Sequence, residues 1–136
     1  MKYIFSLILL FCILSLCAQV DSRGTDFWVS FGRNASASYS STKLQIRIVA
    51  DQTASGTITF NSITGTGRTV AFNIAAGSVY THTLSATEKV ASYNTATGIN
   101  SNSVHIESDV PVTVYAFNTY SLLADATNVL PVHALG

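Results

Sequence analysis

The fold of this chain is constrained most strongly by short segments in which apolar and polar residues alternate. In Lys43–Ala50, the residues Leu44, Ile46 and Ile48 alternate with polar neighbours. Successive side chains of a strand point to opposite faces, so these three residues should share a buried face. After the N-terminal segment, no window of about 11 or more residues sustains the period of 3.6 that an amphipathic helix requires. The chain is therefore expected to fold mainly as β-strands.

Further segments carry strand signals, in the form of aromatic, β-branched or alternating residues. They are residues 27–31, 57–63, 68–74, 78–84, 103–107, 110–118 and the extended end at 128–135. The turn Thr64-Gly65-Thr66-Gly67 predicts a β-hairpin, because glycine accepts positive φ. Ser85 and Glu88 match a capping box, which predicts one short helical turn through Val90. Pro111 cannot donate a ladder hydrogen bond, so it is expected at a strand start or an edge.

Strands joined by short turns, without intervening helices, indicate an antiparallel sandwich or barrel. We predict an all-β, antiparallel β-sandwich-like domain of about seven strands. The residues expected in its core are Trp28, Leu44, Ile46, Ile48, Ile58, Phe60, Val70, Phe72, Val112 and Val114.

The N-terminus has the three-part order of a secretory signal peptide. Lys2 supplies a positive charge, residues 3–16 are apolar, and Ala18 offers a small residue at a cleavage point before Gln19. The apolar run is shorter than the about 20 residues that span a bilayer. We therefore predict a signal peptide at residues 1–18 and one exported domain at residues 19–136, with no membrane span in the mature chain. Cys17 follows Leu14-Ser15-Leu16, similar to a lipoprotein box, and lipidation there is the alternative.

Composition narrows the functions open to the exported domain. Both cysteines of the chain, Cys12 and Cys17, precede the expected cleavage point, so the mature domain has neither disulfides nor thiolate chemistry. Charged residues make up 10% of the chain, against about 25% in typical soluble domains. Loss of Lys2 leaves six basic against seven acidic residues. Such a surface does not suit phosphate binding, so nucleic acid is not expected as a partner.

No residue pattern with a catalytic mechanism is found. His105 and Glu107 share one strand face and Asp109 is near, but a zinc site needs three or four ligands and no second cluster is visible. No Gly-x-Ser-x-Gly elbow is present, and Gly65-x-Gly67 lacks the third glycine of a dinucleotide fingerprint. We predict no enzyme activity, no cofactor and no metal. Asn34-Ala35-Ser36 is a formal N-glycosylation sequon.

Three stretches of the chain resemble a known family. Residues 24–34 read GTDFWVSFGRN, residues 102–118 read NSVHIESDVPVTVYAFN, and residues 125–131 read DATNVLP. In this order they resemble the IgGFc-binding protein N-terminal domain family, with its Gly-x-x-Phe opening, its Ser-x-x-Pro-Val-x-Val-Tyr-Ala strand and its Asp-Ala-x-x-Val-Leu-Pro segment. The motifs are structural and none is catalytic. The resemblance implies an exported, adhesin-like surface protein, and it identifies no ligand residues.

The resemblance also implies that the family domain continues past Gly136, where this sequence ends on an apolar extended segment. Strands that pair with residues 110–118 or 128–135 are then expected beyond Gly136, as are further domains of the same polypeptide. The leading hypothesis for function is a binding or adhesion module of a cell-surface protein, with an extracellular protein or a glycan as its partner. The alternative is an accessory carbohydrate-binding domain of a secreted hydrolase, with aromatic residues on an exposed strand face.

Overall fold

The computed structural model describes residues 21–32, 34, 40–93 and 99–135 of the chain. Within them lie seven strands, one α-helix and a 3-10 turn. The strands are β1 (Gly24–Val29), β2 (Lys43–Ala50), β3 (Ala54–Phe60), β4 (Thr69–Ile74), β5 (Ser78–Thr83), β6 (Val104–Tyr120) and β7 (Leu123–Val129). The helix α1 (Ala86–Ser92) precedes β6, and the 3-10 turn (Val132–Ala134) follows β7. The fold is all-β and its strand pairs are antiparallel, as predicted.

Strand β6 is the central strand of the sheet and pairs with four other strands. Its first half pairs with β1 on one flank and with β3 on the other, and its second half pairs with β7 and β2. The strands β4 and β5 continue the sheet beyond β3 and β2. Two four-stranded halves, β1–β6–β3–β4 and β7–β6–β2–β5, therefore share β6, and the sheet they form is nearly barrel-shaped.

Pro111 lies where the two halves meet. The sequence predicted two strands, at 103–107 and 110–118, but the structure has one continuous strand in their place. Pairing with β3 ends at Ser108 and pairing with β2 starts at Thr113. On the other flank, the register of β1 shifts between Gly24, opposite Val112, and Asp26, opposite Glu107. The missing N–H of Pro111 therefore falls at an irregularity, where proline is tolerated inside a sheet.

The partners expected beyond Gly136 for residues 110–118 are found within the chain itself. Residues 113–119 of β6 pair with β2, and residues 114–120 pair with β7. The expectation that this segment lacks strand partners was therefore wrong. The reason is that β2 and β7, far apart in sequence, both converge on β6, and sequence alternation does not specify pairing partners.

The predicted core is largely confirmed. Eight of its residues are at most 2% exposed: Leu44, Ile46, Ile48, Ile58, Phe60, Phe72, Val112 and Val114. Val70 is partly buried and packs against this core. Contacts between the Phe72 and Tyr80 rings, 5.6 Å apart, join β4 to β5 across the fold. Full burial of each large apolar side chain contributes about 1.5–3 kcal/mol, so this cluster is the main source of stability.

Trp28 was wrongly predicted to be a core residue. Its side chain is 49% exposed, whereas the neighbouring Phe27 is 0% exposed. Adjacent residues of a strand face opposite sides, so only one of the two can point inward. Both are aromatic, and the local sequence does not indicate which one. The pairing of Phe27 with Ile106 and of Trp28 with His105 determines which face of β1 points to the core.

The hairpin and the capping box were both predicted correctly. Gly65 and Gly67 adopt φ of 77° and 86° in the turn between β3 and β4. Ser85 Oγ accepts a hydrogen bond from the Glu88 N–H at 3.4 Å, and Glu88 Oε2 accepts one from the Ser85 N–H at 2.7 Å. The helix runs slightly further than expected, to Ser92. Among the described residues, no helix has the length and apolar character needed to cross a membrane.

Candidate binding surface

One exposed face of the sheet carries an unusual row of side chains. In the half β1–β6–β3–β4, the register places Trp28 opposite His105, His105 opposite Thr59, and Thr59 opposite Thr69. The row therefore runs from an aromatic pair on β1 and β6 to two threonines on β3 and β4. These four residues share the outer face of this half, opposite the core.

The indole ring of Trp28 lies flat against the imidazole ring of His105. The ring centroids are 4.2 Å apart and the planes meet at 16°. One face of the indole is thereby covered, while the side chain as a whole remains 49% exposed. A flat aromatic surface that stays half in water is unusual for tryptophan, the largest of the apolar side chains, and exposed aromatics of this kind are typical of recognition surfaces.

The His105 ring is held in place by one carboxylate, and a second carboxylate lies close to it. His105 Nε2 lies 2.9 Å from Asp26 Oδ1, and His105 Nδ1 lies 3.7 Å from Glu107 Oε2. An ionised carboxylate only accepts hydrogen bonds, so Nε2 carries the proton in the bond to Asp26. Asp26 and Glu107 are themselves opposite each other across β1 and β6. The platform beneath the indole is therefore orientated before any ligand arrives.

A groove of about 320 Å³ opens beside the Trp28 ring. It is lined by Trp28, Val29, Ser30, Ile99, Asn100, Asn102 and Ser103. These residues come from the end of β1 and from the segment that leads into β6, and none of them is charged. We call this set the Trp28 groove. The described lining combines an aromatic wall, two aliphatic side chains, and amide and hydroxyl groups.

Two bonds orientate the amide groups of the Trp28 groove. The backbone N–H of Asn102 donates to Asn100 Oδ1 at 2.9 Å, and Asn102 Nδ2 donates to the Tyr93 carbonyl at 3.2 Å. Ser103 Oγ accepts a bond from Asn61 Nδ2 at 3.0 Å. Within the described residues, this leaves the Asn102 Oδ1 and one of its two amide hydrogens for a ligand.

A second cleft, of about 310 Å³, lies on the other side of the segment 29–32. It is lined by residues of that segment and by Ala116, Asn118, Asp125 and Thr127. Asn118 Nδ2 donates to the Gly32 carbonyl at 2.8 Å, while its buried Oδ1 has no hydrogen-bond partner among the described residues. With one carboxylate among its described lining residues, this cleft is a poorer candidate than the Trp28 groove.

The sequon asparagine, Asn34, is tied to the same region. Its side chain is 4% exposed, and its Nδ2 donates to the Asn118 carbonyl at 2.9 Å. Glycosylation requires the side-chain nitrogen to be accessible to a bulky sugar, because the modified residue carries the glycan on the surface. In this fold the Asn34 amide instead helps to hold the segment 29–32 against β6.

His105, Glu107 and Asp109, which the sequence places near one another, do not form a cluster of metal ligands. His105 does lie near Glu107, as their spacing predicted, but Asp109 Oδ1 accepts a bond from the Ser55 N–H at 2.8 Å. His82 pairs with Glu88 at 3.1 Å on the far side of the core. In the part of the chain that the structure describes, no three His, Cys, Asp or Glu residues are grouped as metal ligands.

A small charged cluster joins the start of β1 to the turn between β2 and β3. Arg23 forms ion pairs with Asp21 at 2.7 Å and with Asp51 at 3.2 Å. The hydrogen bonds that Arg23 donates lower the pKa of Asp21 below its ordinary value. All three side chains are at least about half exposed. Such exposed pairs contribute little to stability, and their mutual pairing satisfies the charges.

The residues predicted to be processed, Ala18, Gln19 and Cys17, lie outside the described residues. The structure instead identifies groove residues for which the sequence predicted no role in binding, namely Asn100 and Asn102 of the loop before β6, and Ser103. No local signal marked them, because the groove forms only where that loop meets the end of β1. The chain matches no protein-family model, no curated protein and no solved structure.

Proposed function

We propose that this chain is a non-enzymatic binding module of an exported, cell-surface protein, and that it recognises an extracellular protein or glycan through the Trp28 groove. The observation that carries the proposal is the half-exposed indole of Trp28, stacked on His105 and bordered by a groove. Aromatic side chains contribute a large contact area with few rotatable bonds, and they dominate the energy of many interfaces. Tryptophan is highly buried on average, so the half-exposed position of the one tryptophan of this chain favours a recognition role.

The setting of the module is proposed from the sequence. The N-terminal segment has the form of a signal peptide, and the resemblance to the IgGFc-binding protein N-terminal domain family favours a large surface protein with further domains. An accessory carbohydrate-binding domain of a secreted hydrolase would use the same groove. The two proposals differ in what the rest of the polypeptide contains, so a hydrolase domain in the full-length protein would favour the second.

Export is tested by the mass of the mature protein. Expressed in a bacterial host from its native start, the chain should lose residues 1–18 and begin at Gln19, because Ala18 supplies the small residue that signal peptidase requires. Intact-mass spectrometry of the extracytoplasmic fraction measures this. A diacylglycerol group on Cys17 would instead indicate a lipoprotein, and an uncleaved cytoplasmic product would contradict export.

The binding surface is tested by removing the indole. Wild-type protein should bind at least one feature of a glycan or immunoglobulin array, and Trp28→Ala should weaken that binding by about 10-fold or more, as for a typical hot-spot residue. Val79→Ala is the matched control, because Val79 is 56% exposed on β5, in the other half of the sheet. Binding that is unaffected by Trp28→Ala, or no binding to either array, would contradict the proposal.

A further inference from the structure

We infer that the Trp28 groove binds a neutral glycan, with one sugar ring stacked on the uncovered face of the Trp28 indole. The inference rests on the proposed function and adds the chemical class of the ligand. Its starting point is the geometry of the indole. The His105 ring covers one face, with the ring centroids 4.2 Å apart, and about half of the Trp28 side chain remains in solvent. The free face is flat, rigid and electron-rich.

The first argument is the match between the lining and a sugar. A pyranose presents an apolar face of C–H groups and a rim of hydroxyl groups that both donate and accept hydrogen bonds. The C–H groups carry a slight positive charge and suit the negative face of an aromatic ring. Asparagine amides likewise offer both donors and acceptors, so the Asn102 side chain can serve the hydroxyl rim.

The second argument is the absence of charge from the described lining of the groove. An anionic ligand such as a phosphate or a uronic acid would require Lys or Arg there, and a cationic one would require Asp or Glu. Two carboxylates, Asp26 and Glu107, flank His105, and Asp26 is hydrogen-bonded to it. They add negative charge close to the platform, which disfavours acidic sugars. The groove therefore suits a neutral ligand.

The third argument is size and preorganisation. A volume of about 320 Å³ lies at the lower end of ordinary ligand sites, which run from about 300 to 1,000 Å³. It suits a short stretch of a sugar chain better than a folded surface. The stack on His105, and the bond from His105 to Asp26, fix the indole before binding, so little side-chain entropy is lost when a sugar stacks.

The fluorescence of Trp28 provides an intrinsic probe of ligand binding at the groove. Trp28 is the one tryptophan of the chain, so all tryptophan fluorescence comes from the proposed stacking surface. We would titrate the purified protein with neutral oligosaccharides of glucose, xylose, mannose and N-acetylglucosamine, and follow the emission. At least one series should give a saturable change in intensity or wavelength, with affinity that increases with the number of sugar units.

Variants identify the contacts. By calorimetry, Trp28→Ala should weaken the binding of that oligosaccharide by about 10-fold or more, Trp28→Phe by less, and Asn102→Ala by about 5-fold, whereas Val79→Ala should leave it unchanged. An acidic oligosaccharide, oligogalacturonate, should bind more weakly than its neutral counterparts. Thermal melts of each variant would show that the fold is retained.

The outcomes separate this inference from the proposed function. A protein ligand that depends on Trp28, with no saturable response to any neutral oligosaccharide, would overturn the glycan inference and leave the binding surface in place. Tighter binding of oligogalacturonate would overturn the inference of a neutral ligand. If no ligand, protein or glycan, depends on Trp28, then both proposals are wrong.

Discussion

Phe27→Ala should lower the free energy of unfolding by about 3–5 kcal/mol, whereas Trp28→Ala, one residue further along, should lower it by about 1 kcal/mol or less. Phe27 is fully buried in the core, so truncation removes its transfer free energy and leaves a cavity that the sheet around it cannot fill. Truncation of Trp28 removes its stack on His105 and the remaining contacts of a half-exposed side chain, but it leaves no cavity in the core.

The measurement is urea denaturation followed by far-ultraviolet circular dichroism. Tryptophan fluorescence would not serve for both variants, because Trp28→Ala removes the one tryptophan of the chain. If Phe27→Ala does not fold, then Phe27→Leu supplies a milder variant with an expected loss of about 1.5 kcal/mol or less. An equal decrease in the free energy of unfolding at the two positions, or a larger one at Trp28, would show that the opposite face of β1 points to the core and that Trp28 is a core residue.

Gly56→Ala should lower the free energy of unfolding by about 3 kcal/mol, although it adds a single methyl group. Gly56 lies in the middle of β3, between β4 and β6. A Cβ atom built there would overlap the Glu107 carbonyl oxygen of β6 and the ring of Phe72 on β4. The Phe72 ring is buried, and the Glu107 carbonyl is part of the β6 backbone, so neither can move without disturbing the sheet.

Gly32→Ala is the matched control for Gly56→Ala. Apart from Gly32 itself and its two chain neighbours, no heavy atom of the described residues lies within 4 Å of a Cβ built there, so the effect should stay within about 0.5 kcal/mol. Thermal or urea denaturation of both variants beside wild type gives the comparison. If Gly56→Ala is as stable as Gly32→Ala, then β3 does not lie as close to β6 as the structure shows, and the register between β3 and β6 would need revision.

The local features of the fold could be predicted from sequence because each depends on neighbouring residues. Alternation in Lys43–Ala50 places Leu44 and Ile48 on one face regardless of what packs against it. The turn with Gly65 and Gly67 requires positive φ, which glycine supplies locally. The capping box of α1 joins two residues only three apart. Both cysteines of the chain precede residue 18, so composition likewise excludes disulfides from residues 19–136 without reference to their fold.

The features on which the proposed binding surface rests depend on contacts distant in sequence, and only the tertiary structure decided them. Phe27 and Trp28 are both aromatic, so the side of β1 that faces the core follows from its pairing with β6, about 80 residues away, and not from β1 itself. The two predicted strands form one strand, β6, because β1, β2, β3 and β7 all pair along it. Pro111 lies at the irregularity where the pairing changes from β3 to β2. The Trp28 groove exists because Asn102 comes beside the end of β1. Long-range pairing of this kind is a property of the whole sheet, since each strand gains its partner only when the others are in place, and period-two alternation is compatible with several such arrangements.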